Sequence, residues 1–386
     1  MKVVFASNYF NHHQKPFCEA MRALLGDDFA FVATEEISEA RLKLGYEDMN
    51  HQYSYVICAY DGDEEWENAR RLICEADVVI YGSAPQSLML ERLQAGKLTF
   101  RYSERIYRPS CPYLKLPWHF YLNTKNYRRY KNYYLLCASA YASADYAKTF
   151  TFYNKAYKWA YFTEVKKYEN IDAIIEKKEP TSILWVARLL PLKHPEYVIA
   201  VAEQLKAEGY SFKLNLIGNG EMEDSLRNMI REKNLADCVK LLGAMKPEQV
   251  REHMEKSEIF LFTSDKNEGW GAVLNESMNS ACAVVASHAI GAVPFLVKDG
   301  ENGWIYKSGD VDDLYNKVKF LLDNNRERKR LGKNAYTTMA QEWNAENAAQ
   351  KLLQLCKCLL AGEKHPFPFE SGVCSKANIL KDNWKK

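Results

Sequence analysis

The sequence lacks the charge excess, the long apolar runs and the paired cysteines that point to particular classes of protein. Its 386 residues include 52 lysines and arginines against 50 acids, so the net charge gives no indication of nucleic-acid binding. No apolar run approaches the ~20 residues that a membrane helix needs. The ten cysteines are scattered without a Cys-x-x-Cys pair, which favours free thiols over disulfides or zinc. The first residues predict a strand and lack the apolar core and cleavage site of a signal peptide, so we expect a cytoplasmic protein.

Two glutamates flank a glycine-rich turn in the second half of the chain. Glu268 and Glu276 enclose a Gly-Trp-Gly sequence that follows the apolar run at 259–263 and leads into a predicted helix ending near Cys282. Glycines let the backbone approach a ligand, and free N–H groups at a helix start attract phosphate. Because phosphate repels carboxylates, the glutamates are better placed to accept hydrogen bonds from hydroxyls on either side of it. The pattern fits a nucleotide diphosphate sugar, and the alternative is an ordinary strand–turn–helix with solvated acids.

A second segment carries two cations in a loop between a strand and a helix. The apolar run from Ile183 predicts a buried strand, and a helix is predicted over about 195–208. Arg188 lies at the strand end, and Lys193 lies just before the helix. In an open parallel sheet ligands lie at the carboxyl ends of the strands, so this loop and the Glu268 loop can face one crevice. An arginine fork and a lysine ammonium suit a diphosphate, whereas two solvated surface cations are the alternative.

Four sequence motifs occur in order: VARLLPLK, LIGNGE, VKLLG and EGWGAVLNE, at residues 186–193, 216–221, 239–243 and 268–276. Together they resemble the donor-binding half of family 4 of the retaining glycosyltransferases. Four motifs in register are far more specific than any one of them. The resemblance implies an α/β fold with two Rossmann-like doubly wound domains that face a central cleft, the GT-B architecture.

The resemblance also implies roles for individual residues. Arg188 and Lys193 would hold the diphosphate of the donor. Glu268 would contact the transferred sugar, and Glu276 would bind the ribose hydroxyls. Backbone amides near Gly271 would complete the phosphate cradle, and the turn at 243–245 would lie beside the base. The donor-binding set comprises Glu276, Gly269, Trp270, Gly271, Ala272, Val273, Gly218, Gly243, Ala244 and Met245.

The domain limits follow from composition and from the resemblance. The N-terminal half alternates predicted strands and helices, which indicates a doubly wound parallel sheet over residues 1–165. A polar run at 166–181 has the composition of an interdomain linker. Residues 182–345 would form the nucleotide-sugar-binding domain. The resemblance packs the terminal helix and tail, 346–386, back on the first domain.

Three residues of the first half are candidate site residues. His12 and His13 follow the first predicted strand, where a Rossmann domain presents a ligand loop, and would contact the donor phosphate or the acceptor. Many family members have a glycine-rich turn there, and this chain does not. Glu104 follows another predicted strand, where relatives often place a histidine, and would orient the acceptor hydroxyl. The alternatives are polar residues that open a helix for the histidines and a surface pair with Arg105 for Glu104.

Residues 101–135 combine eight lysines and arginines with ten aromatic residues and one acid. Aromatic rings sit well among lipid headgroups, and each cation near an anionic surface contributes about 1 kcal/mol of attraction. This stretch therefore predicts a peripheral membrane face, suited to a lipid-linked acceptor. A solvated helix packed by tyrosines is the alternative. Binding of single-stranded nucleic acid is opposed by the neutral net charge and by the donor motifs.

These features predict a metal-independent, retaining glycosyltransferase. It would move a sugar from a nucleotide diphosphate sugar to a hydroxyl of a saccharide or lipid-linked saccharide, in cell-surface polysaccharide or glycoconjugate synthesis. The cations and helix amides serve the diphosphate, so we expect no metal and no cofactor. The sequence Asp61-Gly-Asp63 resembles a metal-binding Asp-x-Asp and is interpreted as a helix start, where acids complement the helix dipole. The alternatives are a nucleotide-sugar epimerase of related fold and a non-catalytic scaffold protein.

Overall fold

The computed structural model describes residues 1–43, 47–107, 113–363 and 366–385. The chain forms two compact units, of which the first comprises Met1–Glu164 and Trp343–Lys381 and the second Val165–Glu342 and Asp382–Lys386. The chain therefore passes from one unit to the other at 164–165, at 342–343 and at 381–382. The domain and linker limits drawn from the sequence stay predictions.

Each unit contains one sheet. The strands of the first unit are β1 Val3–Ser7, β2 Phe29–Ala33, β3 Val56–Cys58, β4 Val78–Tyr81, β5 Thr99–Ser103, β6 Tyr133–Cys137 and β7 Ala156–Lys158. The strands of the second unit are β8 Glu179–Val186, β9 Lys213–Ile217, β10 Val239–Leu241, β11 Ser257–Phe262, β12 Ala283–Ser287 and β13 Trp304–Tyr306.

Helices connect most successive strands. They are α1 Lys15–Leu25, α2 Glu39–Lys43, α3 Asp63–Glu75, α4 Gln86–Gln94, α5 Leu116–Asn123, α6 Ala142–Ala147, α7 Ile171–Glu176, α8 Pro195–Ala207, α9 Glu223–Glu232, α10 Pro247–Lys256, α11 Val273–Asn279, α12 Val293–Leu296, α13 Val311–Asp323, α14 Asn325–Thr337 and α15 Ala345–Leu360. A short 3₁₀ turn covers Pro191–Lys193. Helix α3 begins at Asp63 and carries three acids in its first turn, as the interpretation of Asp61-Gly-Asp63 predicts.

Both sheets are parallel and share one strand order. The first runs β3-β2-β1-β4-β5-β6-β7, and the second runs β10-β9-β8-β11-β12-β13. In each sheet the order reverses once, between β1 and β4 in the first unit and between β8 and β11 in the second. Such a reversal opens a crevice at the carboxyl ends of the strands, where ligands bind in doubly wound folds. The predicted pair of Rossmann-like parallel sheets is confirmed.

Five of the inner strands are buried along their whole length. Every residue of β1, β4, β6, β11 and β12 is buried. Parallel sheets with helices on both faces favour such continuous apolar strands, because neither face meets water. The edge strands β3, β7, β10 and β13 have only three residues each. The buried central strands therefore provide the rigid part of each unit, and the loops at their ends are available for function.

The C-terminal part of the chain contributes to both units. Helix α15 packs against α1 in the first unit. The segment that follows remains on this unit, where the Tyr157 hydroxyl donates to the carbonyl of Pro366 at 3.0 Å. The last residues then join the second unit, where Lys385 pairs with Asp299 at 2.6 Å. Residues from both ends of the chain therefore complete the first unit.

Two expectations about the chemical environment concern membranes and cysteines. Across residues 1–43, 47–107, 113–363 and 366–385, no helix has the length and apolar character to cross a bilayer. The nine cysteines within these ranges are all free thiols, as the scattered spacing predicts, and Cys111 lies outside the described residues.

Candidate functional site

The carboxyl ends of β8, β9 and β10 meet at one edge of the second sheet. Arg188 follows β8 by two residues and is exposed. Gly218, directly after β9, donates its N–H to the carbonyl of Gly243 at 2.8 Å. A Cβ on Gly218 would lie 1.9 Å from the carbonyl oxygen of Ala187, and its φ of +142° is one that other residues rarely adopt. Glycine at this position therefore lets the Arg188 loop approach the β9 end closely.

Lys193 and Glu268 form an ion pair at the point where the strand order reverses. Lys193 lies in the loop after β8, Glu268 lies in the loop after β11, and the lysine Nζ donates to the glutamate Oε2. The two side chains are 15% and 13% exposed. The Thr263 hydroxyl donates to the carbonyl of Lys193 at 2.6 Å and joins the two loops a second time. The structure thus brings together two residues that the sequence separates by 75 positions.

The turn after Glu268 places its tryptophan in the interior. Trp270 is 1% exposed, and its indole N–H donates to Asn275 Oδ1 at 2.9 Å. Gly271 has a φ of +86°, and a Cβ there would lie 2.5 Å from the ring of Phe262. Gly269 is buried, and Ala272 precedes Val273, the first residue of α11. The tryptophan side chain is buried in the core. Only the backbone of Trp270 is therefore available for donor binding.

Glu276 is partly buried on α11. Burial raises the pKa of its carboxyl, and the cation of Arg251 on α10 opposes the rise. Arg251 is held by its own hydrogen bonds, donating to Asn279 Oδ1 at 2.7 Å and Ser280 Oγ at 3.4 Å. Nothing in the sequence distinguishes Arg251, because α10 carries several charged residues. The packing of α10 against α11 brings Arg251 close to Glu276, and this contact distinguishes it from the other charged residues of α10.

The turn predicted to lie beside the base follows β10. Gly243 has a φ of +75°, which again favours glycine. Ala244 is exposed and Met245 is partly exposed. These side chains are accessible at the same strand edge as Gly218. Their contact with a base stays a prediction.

In the first unit, Tyr161 brings the acceptor-side candidates together. Its hydroxyl donates to Glu104 Oε1 at 2.7 Å, and its ring stacks on His13 with centroids 5.7 Å apart. His12 and His13 lie with ring centroids 4.0 Å apart. Burial, then the charges of His12 and Arg41, lower the pKa of His13 to about 3, so its imidazole is neutral at pH 7. Sequence reasoning missed Tyr161, since a tyrosine in an aromatic-rich chain carries no distinguishing signal.

His13 has unused hydrogen-bonding capacity. Its Nδ1 is buried and has no hydrogen-bond partner among the described residues. A buried polar atom without a partner costs roughly 1–3 kcal/mol, and most buried polar atoms in proteins have a partner. The neutral ring can accept from, or donate to, a hydroxyl that enters beside Tyr161.

Residues 101–135 divide into a buried and an exposed part. The guanidinium of Arg101 lies 4.5 Å from the ring of Tyr81, and buried Arg105 pairs with Asp145. Arg105 is therefore not the surface cation that the alternative interpretation of Glu104 requires, because it is buried. Arg108 lies outside the described residues. The remaining cations are exposed: Lys115, Lys125, Arg128, Arg129 and Lys131.

Exposed aromatic side chains accompany these cations. Trp118 is 60% exposed and Tyr121 is 56% exposed, with Phe120 beside them. Arg128 lies over the Phe120 ring at 4.9 Å. The tyrosines that interleave with the cations in sequence, Tyr130, Tyr133 and Tyr134, are buried instead. We call the exposed cations, together with Trp118, Phe120 and Tyr121, the basic–aromatic patch.

One group of side chains in the first unit has the composition of a metal site. Ligand atoms of His51, Cys58 and Asp61 lie within 4.8 Å of one another. His51 Nε2 is 3.1 Å from Asp61 Oδ2, and the Cys58 thiol donates to the carbonyl of Asn50. The donor candidates belong to the second unit, so the expectation that the diphosphate needs no metal stays a prediction.

Comparison with known sequences shows that the second half of the chain is similar to glycosyltransferases. Residues 167–338 match the family model described as glycosyl transferases group 1. The chain is 33% identical over 141 residues to the amylovoran biosynthesis glycosyltransferase AmsK of Erwinia amylovora, covering 35% of this chain and 34% of that one. It is 26% identical over 170 residues to the poly(ribitol-phosphate) alpha-N-acetylglucosaminyltransferase of Staphylococcus aureus, covering 44% and 34%. The chain spans about a third of the length of these relatives.

Comparison with solved structures supports the whole fold. HepE of Anabaena in complex with UDP matches with a TM-score of 0.67 at 15% identity, over 92% of this chain and 100% of that one. At this identity the likeness establishes the fold alone. With the two parallel sheets it confirms the predicted GT-B architecture of two Rossmann-like domains. Residues 167–338 therefore match the group 1 glycosyl transferases, and the chain as a whole has the GT-B fold.

Proposed function

We propose that the protein is a retaining glycosyltransferase of family 4 that uses a nucleotide diphosphate sugar. The observation that carries the proposal is the pair of Lys193 and Glu268 at the strand-order reversal of the second sheet. A cation for the diphosphate and a carboxylate for the sugar hydroxyls stand side by side there. Arg188 lies earlier in the same loop after β8 and extends the positive charge.

The reaction separates charge between the sugar and the leaving diphosphate. As the bond from the anomeric carbon to the diphosphate breaks, negative charge gathers on the leaving oxygen. Fixed cations at Arg188 and Lys193 stabilise this state more than the ground state, because the charge is larger there. Glu268 accepts hydrogen bonds from the sugar and holds Lys193 in place. The acceptor oxygen bonds to the anomeric carbon as the bond to the diphosphate breaks, and the acceptor proton passes to the leaving diphosphate oxygen. With the diphosphate neutralised by side chains, the transfer proceeds without a metal.

The acceptor is proposed to be a hydroxyl of a saccharide or lipid-linked saccharide. The names of two relatives, for amylovoran biosynthesis and for poly(ribitol-phosphate), concern bacterial polymers of this kind. On the acceptor side we propose the neutral imidazole of His13 and the carboxylate of Glu104, which Tyr161 links. Either group can receive a hydrogen bond from an acceptor hydroxyl and orient it.

A panel of nucleotide sugars tests the proposal and separates it from the two alternatives. Incubation of the protein with uridine, guanosine, thymidine and adenosine diphosphate sugars should release nucleotide slowly from one donor, and the release should persist in the presence of a metal chelator. Interconversion of the sugars without nucleotide release would identify an epimerase. No turnover and no binding of any donor would identify a scaffold and overturn the proposal.

Stereochemistry is the separate test of the retaining mechanism. Once a donor is identified, proton NMR of the first-formed product should show the anomeric configuration of the donor sugar. A product of inverted configuration would contradict the assignment to a retaining family while leaving the transferase activity intact.

We further propose that the basic–aromatic patch holds the protein against an anionic membrane near its acceptor. The patch combines five exposed cations with exposed rings, and Arg128, Arg129 and Lys131 form its most compact charged group. Attraction of this kind is screened by salt, since the Debye length falls from ~10 Å at 0.1 M to ~3 Å at 1 M. We therefore expect co-sedimentation with anionic vesicles at low salt and release at high salt.

Charge reversal at the patch tests this placement. Changing Arg128, Arg129 and Lys131 to Glu should abolish sedimentation and leave donor binding intact. The matched control changes three exposed cations of the second unit, Lys213, Arg231 and Lys240, to Glu and should sediment like wild type. Sedimentation of the patch variant at wild-type level, or no sedimentation of wild type at low salt, would remove the membrane proposal.

A further inference from the structure

His194 joins the two loops that carry Lys193 and Glu268. It lies between the 3₁₀ turn of the first loop and helix α8, with φ of +50° and ψ of +51°. This left-handed conformation is uncommon for residues other than glycine, although asparagine, aspartate and histidine adopt it more often than the rest. Residues persist in such a conformation where surrounding contacts hold them, often at active sites.

Both ring nitrogens of His194 face carboxylates. Nδ1 is 2.7 Å from Glu196 Oε1 in the first turn of α8, and Nε2 is 3.5 Å from Asp265 Oδ2 in the loop after β11. The ring also stacks on Tyr197, with centroids 4.5 Å apart and planes 9° apart. The imidazole is thus fixed on one face by an aromatic ring and at each end by a carboxylate.

Asp265 organises the loop that carries Glu268. Its carboxylate accepts from the backbone N–H of Asn267 at 2.7 Å, and its carbonyl accepts from the backbone N–H of Glu268 at 3.1 Å. Its own N–H donates to the carbonyl of Leu192 at 3.0 Å. A residue that contacts Asp265 therefore acts on the position of Glu268 without touching it.

We propose that His194 is a positioning residue for the transfer: as an imidazolium, it bridges Glu196 and Asp265 and holds the Glu268 loop at the distance from Lys193 that the donor requires. The inference rests on the proposed function, since it assigns a task at the same site. It differs from that function in predicting a proton on His194 that the reaction itself does not consume.

The surroundings of the ring favour the charged form. The hydrogen bond to Glu196 raises the pKa of His194, burial opposes the rise, and the charges of Glu196 and Asp265 add to it. Tyr197 and, from β13, Tyr306 also lie near Glu196, and burial raises the pKa of both hydroxyls, so they remain neutral. A raised histidine pKa means that the bridge is fully charged below about pH 6.5 and is lost as the pH rises through the folded value.

The test compares kcat between about pH 6 and about pH 9 for wild type and two variants. Asparagine adopts the left-handed conformation and carries no charge, so His194→Asn removes the proton and keeps the backbone. We expect kcat to fall about tenfold for this variant at the acid end, because a small misplacement of reacting groups is costly. Wild-type kcat should decline as His194 deprotonates, and the variant should lack that decline. The Kd of the free nucleotide diphosphate should stay within about twofold of wild type.

Glu196→Gln supplies the directional test. Loss of the carboxylate lowers the pKa of His194, so the alkaline decline of kcat should move to lower pH. NMR titration of the His194 ring should show the same downward shift, and this readout needs no turnover. His253→Asn, on α10, is the matched histidine control and should behave as wild type.

The outcomes separate this inference from the proposed function. Turnover by wild type, with His194→Asn matching it in kcat and in pH profile, would overturn the bridge and leave the transferase proposal standing. An unshifted His194 titration in Glu196→Gln would overturn the bridge as well. Absence of turnover by wild type with every donor would instead overturn the proposed function.

Discussion

Alanine in place of Arg188 or Lys193 is expected to lower kcat/KM by at least about 100-fold, the scale of loss when a preorganised charge donor is removed. The two changes should differ in their effect on stability. Arg188 is exposed and has no carboxylate within ion-pair distance among the described residues, so Arg188→Ala should leave the free energy of unfolding nearly unchanged. Lys193→Ala leaves the Glu268 carboxylate partly buried without its cation, which is costly.

Steady-state kinetics and thermal unfolding measure the two effects separately. Lys213→Ala is the matched control, because this lysine is exposed at the amino end of β9, on the opposite edge of the same sheet. Its surface pair with Glu179, at 3.7 Å, should contribute ~1 kcal/mol or less. Rates within threefold of wild type for both Arg188→Ala and Lys193→Ala would refute their assignment to the diphosphate.

The two glutamates should separate by role when each is changed to glutamine. Glu276→Gln should weaken binding of the free nucleotide diphosphate by about 10-fold or more, since hydrogen bonds to a charged group contribute ~1.5–3 kcal/mol. Glu268→Gln should leave that binding nearly unchanged and lower kcat about 100-fold, because its hydrogen bonds and its hold on Lys193 act on the sugar as the bond breaks. Both substitutions keep the size of the side chain, so differences in packing do not confuse the comparison.

Calorimetry with the nucleotide alone decides this division of labour. If Glu276→Gln and Glu268→Gln weaken nucleotide binding equally, the proposed separation of their roles is wrong. The pH dependence gives a second check, because burial raises the pKa of Glu276. A carboxylate that accepts hydrogen bonds from ribose loses that capacity on protonation. Nucleotide affinity should therefore fall as the pH drops through the raised value, and Glu276→Gln should be weak throughout.

The sequence predicts the central strands well and the edges poorly. The apolar runs that became β1, β8 and β11 are long enough to be recognised, because both of their faces are buried. The edge strands β3 and β7 have three residues each, too few for an apolar pattern to stand out. These short segments are strands because they pair with β2 and β6, and their own composition does not predict it.

In the candidate site, sequence motifs identify some of the residues, and only the packing of the folded chain identifies the others. The motif residues Lys193 and Glu268 could be selected because their chemistry suits a donor, and the structure places them in contact. Trp270 was assigned to the donor by its place in the motif, whereas its side chain belongs to the core. His194 could not be selected, because its significance comes from Asp265, which is 71 positions away and reaches it only in the folded unit. Contacts between loops are set by the sheet and leave no local trace in the sequence.

The return of the chain to its first unit has a consequence for the order of folding during synthesis. Helix α15 packs against α1, and Tyr157 bonds to Pro366, so the N-terminal unit gains its last helix and its last segment only when translation nears its end. The second unit, by contrast, has all of its strands once residue 306 has been made. On the ribosome, the half of the protein that is synthesised first should be the half that matures last. A chain truncated after Glu342 should therefore contain a native-like second unit and an incomplete first unit, in which α1 exposes to chaperones the face that α15 covers in the full chain.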